Sequence, residues 1–331
     1  MSSYAAAHDA PKGPGDGRPT ATQIIGTEGL EGKWTEKTIL ITGCSSGLGV
    51  ETARALAKTG ATLYLTARDV KKAKVALGNV LDRDNVHLLT LDLSSLESVK
   101  ACAADFLSRS SSLNILIENA GVMAPPEGRT KEGFETQFGT NHLGHFLLFL
   151  LLKPVLLASS TPEFHSRVVI LSSSGHRDSE VNFENINLEG EYHPLKAYGQ
   201  SKTANLWTAN HIERKYGTHG LHAFSVHPGL VMTDLMRHIP RDQVKMQAKN
   251  KDLISWLKTP EQGAATTVWA AVSASLESFG GKYLEDCHIS KPYREGTDPW
   301  GPGYAPWAYD NEKEAKLWSL SLRSVGMDPE S

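Results

Sequence analysis

Short apolar runs alternate with stretches of helical length along most of this chain, and that alternation constrains its fold more than any other feature. Thr38–Thr42, Thr62–Thr66, Val86–Leu91, Asn114–Ile117, Arg167–Leu171, His222–Val226 and Lys282–Leu284 read as strands. Near-continuous apolar strands belong to a sheet buried on both faces. The stretches 47–58, 95–108, 133–152 and 196–216 read as amphipathic helices between them. Strand and helix in turn make βαβ units, so the pattern predicts an α/β fold with a doubly wound parallel sheet.

Three segments break the rhythm. Residues 1–34, rich in Ala, Gly, Pro, Ser and Thr, read as a flexible leader or a strap on the surface. Residues 230–258 and the tail 291–331, with Trp300, Trp307 and Trp318, have to lie outside the sheet. Both are candidate covers for a substrate. The organisation expected is therefore one domain over 35–290 with a C-terminal extension; 331 residues do not demand a second core.

Composition removes several function classes. The net charge of −3 and the absence of a Lys/Arg-dense stripe argue against nucleic acid as a partner. Three scattered cysteines, Cys44, Cys102 and Cys287, form neither a disulfide framework nor a metal-ligand spacing. No signal peptide is read at the N-terminus. The apolar run Phe146–Leu152 is far shorter than the ~20 residues a membrane span needs. A soluble, cytoplasmic protein is expected.

The first strand ends in Thr42-Gly43-Cys44-Ser45-Ser46-Gly47-Leu48-Gly49, running into a helix. Glycines at a strand–helix junction let the backbone approach a pyrophosphate, which the free N–H groups of the helix N-terminus then hold. The spacing T-G-x-x-x-G-x-G resembles that of the short-chain dehydrogenase/reductase family, and the resemblance covers roughly 37–290. It implies a Rossmann fold and a nicotinamide cofactor, with Gly43, Ser45, Ser46, Gly47 and Leu48 as contacts.

The second strand ends in Leu65-Thr66-Ala67-Arg68-Asp69. An acid at this tip bonds the ribose 2′-hydroxyl of NAD, whereas an arginine accepts the 2′-phosphate of NADP. Arg68 favours NADP(H); Asp69, if it turns inward, favours NAD(H). The resemblance places Asp92 and Leu93 beside the adenine. Asn119-Ala120-Gly121 matches the end of the family's N-N-A-G, with Glu118 replacing the first Asn. That substitution is expected to alter packing more than cofactor binding. His227-Pro228-Gly229-Leu230-Val231-Met232-Thr233 resembles the family's P-G turn, which implies contacts from Pro228, Gly229, Val231 and Thr233.

Tyr198 and Lys202 stand at i and i+4, on one face of a predicted helix. A nearby ammonium and the positive nicotinamide favour phenolate, which is expected to lower the Tyr198 pKa and fit it for acid–base work. Ser172, Ser173 and Ser174 follow the fifth strand. The family pattern matches Ser173, with Ser174 as the alternative, to hold the substrate oxygen. Asn141 completes the implied set of Asn141, Ser173, Tyr198 and Lys202, supporting a proton relay through a water. Tyr198 and Lys202 also border the cofactor. His142 and His145 read as packing or capping groups, and no metal site is expected.

Within the family, the runs Thr140–Phe146 and Ala197–Lys202 and the long Ser173–Tyr198 gap look most like the retinol-dehydrogenase and WW-domain-containing-oxidoreductase branch. The implied reaction interconverts a small hydrophobic ketone or aldehyde and its alcohol with NADP(H). Other readings are a cofactor-binding regulator or scaffold, or a non-redox dehydratase or epimerase. Leu230, Val231, Met232, Leu235, Met236, Ile239, Ile254, Trp256 and Leu257 either line a substrate pocket or pack the lid onto the body. A homodimer or homotetramer through 134–152 and 196–216 is compatible with the resemblance, unless the tail covers that face.

Overall fold

Each apolar run becomes a strand of one eight-stranded sheet. The structure, a computed structural model, describes residues 4–240, 242, 246 and 249–328. Strands β1 (Thr38–Ile41), β2 (Thr62–Ala67), β3 (Val86–Thr90), β4 (Ile115–Glu118), β5 (Ser166–Leu171) and β6 (Leu221–His227) are followed by a short parallel pair, β7 (Leu230–Val231) and β8 (Leu257–Lys258). β9 (Lys282–Glu285) and β10 (His288–Ile289) complete the set. The sheet order is β10-β9-β6-β5-β4-β1-β2-β3, with only β10 antiparallel to its neighbour. The chain reverses direction across the sheet between β1 and β4, and in doubly wound sheets ligands bind at the carboxyl ends there.

The period-two direction of side chains sorts each strand between two cores. Leu40, Tyr64, Leu116 and Val168 face α4 (Leu96–Arg109), α5 (Gly144–Ala158) and α6 (Pro194–Tyr216). Ile39, Leu63, Ile117 and Val169 face α2 (Leu48–Ala57), α3 (Val70–Leu77) and the helix Ala265–Val272. The segment Phe138–Ala158 is apolar and long enough to cross a membrane by composition alone. It is instead a core helix, with 72% of its most apolar window buried inside the protein.

The segment 4–34 is a packed strap rather than a loose leader. Thr20 and Gln23 form a capping box that starts α1 (Ala21–Thr27), and Ile24 and Ile25 are fully buried. Ahead of that helix Arg18, 3% exposed, donates to the carbonyls of Gly13 (3.0 Å), Trp256 (3.1 Å) and Leu257 (2.5 Å) and pairs with Asp16.

The tail packs as well. Its helix Asn311–Ser324, capped by Asp310, buries Leu317, Trp318 and Leu322. Trp318 meets Phe146 edge-on at 4.9 Å and stacks on His211 at 4.6 Å, so this helix covers the outer faces of α5 and α6.

Candidate active site

The phosphate loop shows why its glycines are required. Gly43 has φ +77°, and a Cβ there would lie 2.7 Å from the Cα of Ala120. Gly47, at φ +59°, opens α2 and lies against Thr233. Asn119 Nδ2 donates to the Thr42 carbonyl (2.8 Å), and Ala120 N–H donates to Thr42 Oγ1 (2.9 Å). These bonds brace the ends of β1 and β4 against each other. Ser45, Ser46 and Leu48 occupy the turn and first helical residue between the two glycines and α2. A crowded glycine turn at the N-terminus of a helix is a fitting cradle for a dinucleotide pyrophosphate.

At the tip of β2, Arg68 is exposed and takes part in no ion pair among the described residues. Asp69 instead caps α3, its Oδ1 accepting the Lys72 N–H at 2.9 Å. Asp92 Oδ1 accepts from the backbone (3.0 Å) and hydroxyl (2.6 Å) of Ser94. Leu93 lies under α5, where a Cβ on Gly144 would strike its carbonyl at 2.5 Å. Pro228 and Gly229 turn over the Lys258 side chain, and Val231 pairs with Lys258 in β7–β8. Thr233 Oγ1 caps the turn Asp234–His238.

Asn141, Ser173, Tyr198 and Lys202 converge at the ends of β4 and β5. Asn141 sits in a π turn, Phe138–Leu143, that leads into α5. Such turns widen a helix locally and recur at functional sites. Fully buried, Asn141 exchanges two bonds with Val122: Oδ1 accepts its N–H (2.8 Å), and Nδ2 donates to its carbonyl (2.9 Å). Lys202 Nζ donates to the Leu171 carbonyl at 2.9 Å, and both Asn141 and Lys202 border Gly121. Ser173 Oγ accepts the Gly175 N–H at 3.1 Å and lies close enough to the Tyr198 phenol to favour its ionised form. Gly175 has no side chain because the Tyr198 ring lies 3.1 Å from where its Cβ would be.

The protonation picture departs from the expectation. Burial pushes the Tyr198 phenol up to about 12, against a smaller lowering by Ser173. Burial likewise pushes Lys202 down to about 7. Lys202 Nζ lies 5.6 Å from the centre of the Tyr198 ring, and desolvation of the pair outweighs any lowering of the phenol by the ammonium. Tyr198 therefore stands as a protonated donor.

Glu118, at the end of β4, is buried, with Oε1 unpartnered, and burial raises its pKa to about 8. It is a neutral carboxylic acid near neutrality, which avoids the cost of an isolated buried charge.

Two histidines have roles the sequence reading missed. His145 bonds the Asn141 carbonyl through Nδ1 and the Thr42 hydroxyl through Nε2, both at 2.9 Å, joining the π turn to the phosphate loop. His176 bonds the Ser173 carbonyl. Close spacing could have suggested both contacts, i, i+4 from Asn141 in the π turn to His145 in α5 and i, i+3 from Ser173 to His176. His142 bonds Ser321 of the tail helix at 2.7 Å. Among the described residues, no three His, Cys, Asp or Glu side chains gather as a metal site.

A cleft of about 380 Å³ opens beside the start of α6. Its walls are Ala124, Pro125 and Pro126 after β4, His193, Pro194 and Leu195, and His238, Ile239 and Pro240. Of the nine apolar residues considered for a substrate pocket, only Ile239 lines it. Leu230 and Trp256 instead face a small void with Lys258, Asp286 and Trp300. Below that void the β9–β10 hairpin turns on Asp286 and Cys287, both at positive φ (50° and 53°). Asp286 pairs with Lys258 there (2.6 Å), a contact that offsets the backbone strain.

The sheet order, the glycine cradle and the four converging side chains together define a nucleotide-dependent oxidoreductase of the Rossmann type. Comparison with known proteins agrees: the short chain dehydrogenase family model matches residues 37–244, and the chain belongs to that family. The short-chain dehydrogenase/reductase prx1 of Penicillium roqueforti is 49% identical over 95% of this chain and 92% of its own length. Oxidoreductase calI of Penicillium decumbens is 42% identical over 99% of both. Retinol dehydrogenase 12 of Homo sapiens is 37% identical over 88% of this chain and 87% of its own length, in keeping with the retinol-dehydrogenase-like branch. A crystal structure from Mycobacterium paratuberculosis superposes with TM-score 0.67 at 32% identity, covering 88% of this chain and 94% of that one. Members of this family use a nicotinamide cofactor.

Proposed function

We propose that this enzyme reduces a hydrophobic ketone or aldehyde with NADPH, Tyr198 giving the proton. The observation that carries the reading is the convergence of four side chains at the strand ends: Ser173 and the Tyr198 ring meet at Gly175, Asn141 and Lys202 meet at Gly121, and Lys202 Nζ lies 5.6 Å from the Tyr198 ring. The cofactor supplies the hydride. Ser173 holds the carbonyl oxygen and stabilises its developing charge, while the adjacent phenol delivers a proton to that oxygen. Lys202 holds the ribose hydroxyls from a position fixed by Leu171, and Asn141 supports the relay that restores the phenol proton.

NADP(H) is favoured by the division of labour at the tip of β2. Asp69 is committed to its helix, which leaves Arg68 to receive a 2′-phosphate. For the substrate, the support is the relatives named for retinol, an apolar alcohol. The tail helix occupies the face through which α5 and α6 would pair with a second copy, so we propose a monomer rather than a dimer built on those helices. The compartment we propose is the cytoplasm; the three free, buried cysteines are compatible with reducing surroundings.

The test is fluorescence titration with NADPH and NADH, followed by cofactor absorbance against a panel of hydrophobic ketones, aldehydes and alcohols. Tyr198→Phe is expected to nearly abolish turnover and leave NADPH binding intact. Substantial activity in that variant overturns the assignment.

A further inference from the structure

The 3-10 turn Ser174–Asp178, which Ser173 caps, is held on one side by α6, through Thr203 Oγ1 donating to the His176 carbonyl at 3.1 Å, and on the other by the C-terminal extension. Arg177 donates to the carbonyls of Gly301 (3.0 Å) and Pro299 (2.9 Å), and its guanidinium lies over the Tyr293 ring. Trp307 Nε1 donates to the His176 carbonyl at 3.2 Å. His176 itself is fully buried against Tyr283, ring centres 4.8 Å apart. Its Nδ1 lies 2.6 Å from the Ser173 carbonyl, and its Nε2 lies 3.0 Å from the Ala305 N–H.

A carbonyl can only accept and a backbone N–H can only donate, so the two partners dictate one neutral tautomer, with the proton on Nδ1. Burial agrees, lowering the imidazole pKa to about 4. The ring is thus a directional link from the backbone of Ser173 to that of Ala305, a residue 129 positions beyond His176 in sequence.

We propose that His176 is a positioning residue that fixes Ser173 against Tyr198 and makes residues 299–307 a working part of the active centre. The inference rests on the reductase reading for its kinetic arm but not for its structural one. The same tail segment grips the other half of the pair: Trp207 Nε1 and Asn210 Nδ2, on the helix that carries Tyr198, donate to the carbonyls of Trp307 (2.8 Å) and Ala308 (2.9 Å). One strand of tail therefore sets the spacing between the serine loop and the tyrosine helix.

Two conservative variants separate the two ends of the link. An asparagine amide reaches about as far as Nδ1 and can keep the bond to Ser173, whereas a glutamine amide reaches about as far as Nε2 and can keep the bond to Ala305. In hydrogen–deuterium exchange, His176→Gln is expected to speed exchange in 173–178 while 299–307 stays protected. His176→Asn is expected to do the reverse.

With NADPH and an aromatic aldehyde as probes, His176→Gln lowers kcat about ten- to a hundred-fold, the scale of a small misplacement of a reacting group. His176→Asn lowers it less. In both, KM and the NADPH Kd read by fluorescence stay within about two-fold. In a Ser173→Ala background His176→Gln costs no further rate, because its effect passes through Ser173. Wild-type kcat in the Gln variant, or a full additive loss on top of Ser173→Ala, overturns the proposal. So does unchanged exchange in 173–178. A wild-type protein that binds NADPH but turns over no carbonyl overturns the reductase reading instead, and the exchange measurements still decide the positioning.

Discussion

Asp69 Oδ1 accepts the backbone N–H of Lys72 at 2.9 Å, so the carboxylate at the tip of β2 is spent on capping its own helix while Arg68 beside it stays exposed. Arg68→Ala is therefore expected to weaken NADPH binding about ten- to a hundred-fold, the scale of losing a charge-assisted contact to phosphate, and to leave NADH binding nearly unchanged. Fluorescence titration with both cofactors checks it. Equal losses for the two would mean that no 2′-phosphate meets Arg68.

Glu118 makes stability depend on pH in a predictable direction. Its pKa is raised by burial from 4.5 to about 8, so between those values the native state holds a proton that the unfolded chain has released. Stability contributed at this position is complete below about 4.5 and falls as pH rises towards about 8, then levels off. Glu118→Gln is expected to flatten that slope, gaining roughly 2–4 kcal/mol over the wild type at the alkaline end. Chemical denaturation across the range measures it; parallel slopes for the two proteins would refute the buried neutral acid.

Arg18 fastens the base of segment 232–256. Its guanidinium bonds the carbonyls of Trp256 and Leu257, where that segment returns to the body as β8. Arg18→Met leaves these half-buried carbonyls without their donor, at a cost of up to about 1–3 kcal/mol each if no water replaces it. Limited proteolysis within 232–256 should accelerate about ten-fold. Cutting at the wild-type rate would show that the strap is not what holds this segment.

Trp318 seals the tail helix onto α5 and α6, in edge contact with Phe146 and stacked on His211. Trp318→Ala should cost about 3–5 kcal/mol, the usual range for a buried tryptophan. It should also uncover an apolar face, so that light scattering finds a monomeric wild type and a variant that self-associates with concentration. A wild-type dimer that survives the substitution would place any interface elsewhere.

The sequence by itself determined the sheet and where most of the candidate site residues stand on it. Parallel strands buried on both faces must be apolar throughout, so runs such as Thr38–Thr42 and Arg167–Leu171 announce themselves without tertiary information. The site followed because Gly43, Asn119, Ser173 and Tyr198 lie next to strand ends or on one helix face, and short-range spacing is enough to place them. Even the strap carried a local sign, the Thr20–Gln23 capping box, that composition masked.

Only the tertiary structure decided what depends on contacts between distant parts of the chain. The protonated states of Tyr198, Lys202 and Glu118 are set by desolvation, which residue spacing does not measure. The place of residues 291–328 depends on partners more than a hundred residues away, as in His176 and Ala305. An irregular segment has no period to read; its position is fixed by the carbonyls and rings that the folded core leaves for it to meet.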